Sequence, residues 1–162
     1  MSQVHLHLLI THLPIFGSIL GAFVLGYGLW RDSNTTKIAA YYLFIISAIG
    51  AGIAYLTGEG AEEAVEKIQG VSESIMEQHE DFAVYALISL IVLGVSSLFA
   101  LIVTQKNSSL SKTAAILTLA LSLISFALVA RTGYLGGQIR HSEIATGNAQ
   151  VGNEIEKKDD DD

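Results

Sequence analysis

The side chains of this chain best suited to chemistry are five histidines: His5, His7, His12, His79 and His141. There is no cysteine, which removes disulfides, thiolate metal sites and iron–sulfur clusters. Imidazole is then the natural ligand for a transition metal ion or a haem iron. Three of the five lie in His5-Leu6-His7-Leu8-Leu9-Ile10-Thr11-His12-Leu13-Pro14. His79 is followed by Glu80, and His141 by Ser142-Glu143. Glu59, Glu62, Glu63 and Glu80 are the carboxylates available to orient these rings or to ligate a cation beside them. The spacing matches neither His-Glu-x-x-His nor Glu-x-x-His. No nucleophile elbow, phosphate loop or paired-carboxylate spacing argues for a hydrolase or a transferase.

The elements that must position these residues are apolar. Of 162 residues, 51% are hydrophobic and 15% charged, against about 25% charged in soluble domains. Apolar runs cover residues 6–30, 38–56, 82–103 and 114–135. Each is long enough to cross a hydrocarbon core of ~30 Å as a helix. Backbone polar groups must be satisfied inside lipid, so these runs predict helices. Short, long and short connections then give an all-α, integral-membrane, antiparallel four-helix bundle. Gly17 and Gly21 form a GxxxG pair, and Ala48 and Gly52 a second small-xxx-small pair, suited to close helix contact. Pro14 predicts an irregular backbone near His12. Thr57-Gly58 predicts the end of the second span, and Gly136-Gly137 a turn after the fourth. The acid-rich stretch 59–81 predicts a short amphipathic helix, a turn at Gly70, and a polar extension of the third span. Residues 1–144 form one domain, and the polar, acidic tail 145–162 predicts disorder. No internal repeat stands out.

The charge pattern orders the two ends of the bundle. An even number of spans puts both termini on one side, with all five histidines and fifteen of the sixteen acids. The two short loops on the other side hold Arg31, Lys37, Lys106 and Lys112 against Asp32. Positive short loops mark the cytoplasm. The expectation is a plasma (inner) membrane protein with its termini and histidines extracytoplasmic. No basic segment precedes the first span, which argues against a cleaved signal peptide. A net charge of −7 argues against nucleic acid as a partner.

Each candidate has a plainer reading beside the chemical one. His5 and His7, near the terminus, suit a hydrated interface. His12 lies inside an apolar run, where a ring without a partner is costly, so it is the strongest candidate from the first span. His79 stands at the mouth of the third span and enters from the same side. His141, Glu62 and Glu80 complete the set of possible ligands. Arg131 lies near the end of the fourth span, where an arginine snorkels, pairs with an acid or binds an anionic group. Arg131 and Arg140 are the candidates to meet haem propionates.

Leu6-His7-Leu8-Leu9-Ile10-Thr11-His12-Leu13-Pro14, Thr57-Gly58-Glu59-Gly60-Ala61-Glu62-Glu63, Gln78-His79-Glu80 and Gly136-Gly137-Gln138-Ile139-Arg140-His141-Ser142-Glu143-Ile144 together resemble the motifs of a family of small, uncharacterised bacterial four-helix membrane proteins. The resemblance runs from about residue 5 to residue 144 and brings no settled activity. Some relatives look like membrane partners of redox modules, which implies a haem protein.

The expected function is therefore a membrane-embedded electron-transfer protein holding haem b between His12 and His79. A quinone or a periplasmic redox protein would be its partner, and membrane lipid its surroundings. One alternative is a non-haem iron, copper or zinc site drawn from His5, His7, His12, His79, His141, Glu62 and Glu80. Another is a cofactor-free subunit of a homo-oligomer or larger membrane complex.

Overall fold

The computed structural model describes residues 3–65 and 72–140, with side chains described for 4–61 and 72–139. It contains five helices: α1 (Gln3–Ile10), α2 (His12–Trp30), α3 (Asn34–Val65), α4 (Glu73–Gln105) and α5 (Ser111–Arg140). Pro14 lies in the first turn of α2, where its missing N–H costs least, and the backbone break falls at Thr11. α1 and α2 together make the first span, so the bundle is four-membered. Its order is α2, α3, α4, α5 and back to α2, with α1 laid against α3.

Two expected boundaries are corrected. α3 does not stop at Thr57-Gly58 but continues to Val65, and α5 runs through Gly136-Gly137 to Arg140. Glycine lowers helix propensity by only ~1 kcal/mol, and packing across the bundle outweighs that at both places. The polar extension of the third span is present, since α4 begins at Glu73. Gly70, His141 and the 145–162 tail lie outside the described residues.

The solvent for this bundle is hydrocarbon. Phe23, Leu56 and Val95 are 70%, 79% and 62% exposed, whereas Ser18, Ser47, Ser97, Thr118 and Ser122 are fully buried. That is the reverse of a water-soluble helix protein and suits apolar lipid outside with small polar residues between helices. Tyr55, Tyr85 and Tyr134 project outward near one end, and Tyr27 and Trp30 near the other. From Tyr85 to the end of α4 the helix rises about 30 Å, the thickness of a hydrocarbon core. All four long helices satisfy the length and apolarity of a membrane crossing.

Glycines set the close approaches. Gly17 faces Ser47 and Gly21 faces Phe44 across the α2–α3 contact. A Cβ on Gly94 would lie 2.8 Å from the Cβ of Ala48, so this pair fixes the α3–α4 distance. Of the small-xxx-small pair Ala48 and Gly52, Ala48 makes a close approach, to Gly94 on α4, and Gly52 has nothing within 4 Å of such a Cβ.

α4 and α5 are joined differently, by a ladder of polar rungs. Thr104 and Ser111 share a hydrogen bond of 2.9 Å, and so do Ser96 and Thr118. The Ser125 hydroxyl donates to the Ser89 carbonyl at 3.2 Å, and His79 bonds the Thr132 carbonyl at 3.0 Å. On α5 these rungs recur every seventh residue, at 111, 118, 125 and 132, which returns each to the same face.

An internal repeat, which the sequence did not make evident, appears in the geometry. α2 ends in a left-handed residue, Asp32 (φ 47°), and α4 in another, Asn107 (φ 50°). Behind them Ser33 N–H donates to the Gly28 carbonyl at 2.9 Å, and Ser108 N–H to the Val103 carbonyl at 3.0 Å. These are two copies of one Schellman cap. The Asn34 amide donates to the Asn107 side-chain oxygen at 3.2 Å and ties the two turns together. The bundle is thus two helical hairpins with matching turns, α1–α2–α3 and α4–α5.

The halves have diverged at their seams. Between α3 and α4 the helices touch at Gly94. Between α2 and α5 a cleft of about 330 Å³ opens, lined by Ile19, Ala22, Phe23, Gly26 and Tyr27 on one side and Leu119 and Leu123 on the other.

Candidate functional site

The repeat carries a pair of histidines. His7 on α1 lies against α3: its Nδ1 is 2.9 Å from the Ala54 carbonyl and 3.3 Å from Thr57 Oγ1. His79 on α4 lies against α5, with Nδ1 3.0 Å from the Thr132 carbonyl. A carbonyl only accepts, so in both rings Nδ1–H is the donor and the neutral ring keeps its lone pair on Nε2. Four residues beyond each accepting carbonyl stands a glycine. A Cβ on Gly58 would lie 3.6 Å from Cε1 of His7, and one on Gly136 would lie 3.1 Å from Cε1 of His79. Each ring therefore rests on a glycine and hangs from the carbonyl one turn before it. The first helix of each hairpin supplies the histidine, and the second helix supplies the carbonyl and the glycine.

The two rings share one neighbourhood, His7 lying within electrostatic reach of His79. Glu80 acts on the same ring. His79 is half-buried, and His7 likewise. Their anchors, the Ala54 carbonyl and Gly58 on α3 and the Thr132 carbonyl and Gly136 on α5, flank Tyr55 and Tyr134 in sequence, so both rings lie at the level of the tyrosine ring. The site is thus at the hydrocarbon boundary and not deep within it.

The other candidates are placed as follows. His12 is exposed on the outer face of α2, with Nδ1–H donating to the Leu8 carbonyl at 2.7 Å and its ring stacked on Phe16 at 6.1 Å. That bond satisfies the ring locally and turns it toward the lipid side. His5 is exposed on α1. Glu80 and Glu59 are exposed. The side chains of Glu62, Glu63 and Arg140, and all of His141, lie outside the described residues. Arg131 is exposed with its guanidinium 5.5 Å from the ring of Phe82 and 5.6 Å from that of Tyr134. Among the described residues no three His, Asp or Glu side chains cluster as a metal-ion site would require.

Sequence reading counted His7 among the ligands but preferred His12, because depth in an apolar run was the only available measure. It missed Gly58 and Gly136 as seats for imidazole, and the carbonyls of Ala54 and Thr132 as their anchors. The signal for the repeat was present in Arg31-Asp32-Ser33 with Lys37 and Lys106-Asn107-Ser108 with Lys112, the same order 75 positions apart.

Apolar outer faces, aromatic rings at two levels and a hydroxyl-lined interior define a multi-pass α-helical membrane protein. The chain belongs to the DUF2231 family of predicted membrane proteins, whose description matches residues 3–146. No curated protein and no solved structure matches it.

Proposed function

We propose that this protein is a membrane-embedded b-type haem protein that transfers electrons, in which His7 and His79 would hold the haem. His7 takes the role that sequence reading gave to His12. The observation that carries the reading is the matched pair of rings, one per hairpin, each with Nδ1–H held by a backbone carbonyl. Ligating histidines are generally oriented in this way, with the second nitrogen left to the metal. Two imidazoles, one from each hairpin and each with Nε2 free, would suit a haem. A free metal ion would need further ligands, and His141, Glu62, Glu80 and His5 are the candidates for that second reading.

The chain's own residues divide the work. Ala54 and Thr132 fix the tautomer and the direction of each ring. Gly58 and Gly136 allow the rings to sit flush on α3 and α5. The ends of α3, α4 and α5 extend past the tyrosine ring and shield the site from bulk water on several sides. Arg140 is the cation left to meet propionates, because Arg131 is engaged with aromatic rings on the outside. Haem would supply one-electron redox chemistry. A quinone or a soluble carrier would exchange electrons at the exposed rim. The loops with Arg31, Lys106 and Lys112 favour a cytoplasmic location in the plasma membrane, which leaves the histidines extracytoplasmic.

The test is an optical spectrum of the protein purified from haem-replete cells, with variants. A Soret band that is lost in His7→Ala and in His79→Ala, and kept in His12→Ala and His5→Ala, supports the reading. Occupancy should also fall with acid, because ligation needs neutral imidazole. A colourless wild-type protein with bound metal by elemental analysis supports the second reading. Haem that survives both the His7 and His79 substitutions would sink the assignment.

A further inference from the structure

The guanidinium of Arg131 is a cation at the membrane boundary on the histidine side, and the proposed haem site leaves it unused. It lies 5.5 Å from the ring of Phe82 on α4 and 5.6 Å from that of Tyr134 on its own helix. Phe82 is held edge-on by Tyr85, with centroids 6.2 Å apart. The Tyr134 hydroxyl accepts a hydrogen bond of 3.1 Å from Gln138. The rings thus bracket the guanidinium across the α4–α5 seam and hold its plane at the level of the tyrosine ring, where lipid headgroups begin.

Three facts separate this arrangement from an idle snorkelling side chain. Arg131 makes no ion pair among the described residues. Its side chain is exposed at the outer surface of the bundle. Counted from Gly58 and Gly136, and from His7 and His79, the other hairpin has Ile53 and Leu56 where this one has Arg131 and Tyr134, and Ile10 where this one has Phe82, so the scaffold packs without the cation. An arginine fork matches a phosphate with two parallel hydrogen bonds, and stacking on aromatic rings leaves its edge free to make them.

We infer that Arg131, Phe82 and Tyr134 form a binding site for the phosphodiester of an anionic membrane lipid in the leaflet on the histidine side. The guanidinium edge takes the phosphate, and the outward apolar faces of α4 and α5, with Val84, Ile88 and Ile124, take the acyl chains. The site is separate from the histidine pair and does not depend on a cofactor.

Native mass spectrometry tests this on the full chain in micelles doped with equal amounts of phosphatidylglycerol and phosphatidylethanolamine. The wild type should retain phosphatidylglycerol in preference. Arg131→Gln should weaken that retention about tenfold, as the loss of one charge-assisted hydrogen bond does. Arg131→Lys should recover part of it, and Phe82→Leu should reduce it while leaving the charge in place. Helix content by circular dichroism should be unchanged, since each side chain lies at the surface. Excess inorganic phosphate should leave the bound lipid in place. Equal retention of both lipids, unchanged retention in Arg131→Gln, or displacement by inorganic phosphate each overturns the inference, the last by showing a site for free anions.

Discussion

Gly136 offers the sharpest perturbation of the histidine pair, because one methyl group is enough. An alanine Cβ there would sit 3.1 Å from Cε1 and 3.4 Å from Nδ1 of His79. The ring must then give by a few tenths of an ångström, away from α5 and from the Thr132 carbonyl that it bonds at 3.0 Å. The helix gains about 0.8–1 kcal/mol from replacing glycine by alanine, and weakening the hydrogen bond costs about the same. Gly136→Ala should therefore leave thermal stability near the wild-type value. Two controls separate these terms. At Gly58 the same Cβ meets His7 at an ordinary 3.6 Å, and at Gly137 it meets nothing within 4 Å. Gly58→Ala and Gly137→Ala should both melt higher than wild type in detergent, without the offset. Gly136→Val, which adds branched atoms where there is no room, should expel the ring and, on the proposed haem reading, abolish the Soret band. The assay is a melting curve and an absorption spectrum on the five proteins. If Gly136→Ala is stabilised as much as Gly137→Ala, and Gly136→Val keeps its absorbance, the ring is not seated on Gly136 and the geometry of the site is wrong.

Three further outcomes follow from other parts of the molecule. The Asp32 carboxyl, hydrogen-bonded by Lys37 Nζ at 2.9 Å, should titrate below its ordinary value of 3.8 in a carbon-detected NMR titration. A depressed value means the contact stabilises above that ordinary value and is lost as pH falls through the folded one, so Lys37→Met should raise it; a wild-type titration at or above 3.8 contradicts the pairing. Gly94→Val, overpacking the contact with Ala48, should cost about 1–3 kcal/mol, whereas Gly26→Ala, with nothing within 4 Å, should be neutral or stabilising; equal stabilities would refute the packing. Cysteines at Ser33 and Ser108 should resist an impermeant reagent in intact cells while one at Ser72 reacts, and the opposite pattern would invert the orientation.

How far the sequence carried can be judged residue by residue. Hydropathy located all four crossings, because lipid leaves helices as the only solution for such runs. It misplaced the end of α3, because Thr57 and Gly58 look like a stop only when no neighbour rests on them; here His7 does. It read Gly136-Gly137 as a turn for the same reason. The preference for His12 over His7 followed depth, which is legible, rather than facing, which is not. The His7 ring, five residues earlier on α1, bonds α3, while His12 bonds the Leu8 carbonyl four residues back in its own span. The Ser/Thr series on α5 had a seven-residue period that could have been read as an inward stripe, and the matched charged turns could have exposed the repeat.

The shared plan of the hairpins has a consequence for how such a protein can change. A single hairpin that paired with its copy would place the same histidine on both sides of one axis, and any substitution would be doubled. Fusion into one chain releases that constraint. One seam between the hairpins is free to close at Gly94 and the other to open as an apolar cleft, while each hairpin keeps its histidine. Coexpressed as separate pieces, residues 1–65 and 72–162 would each carry half of the ligand set, so cofactor absorbance would report their reassembly.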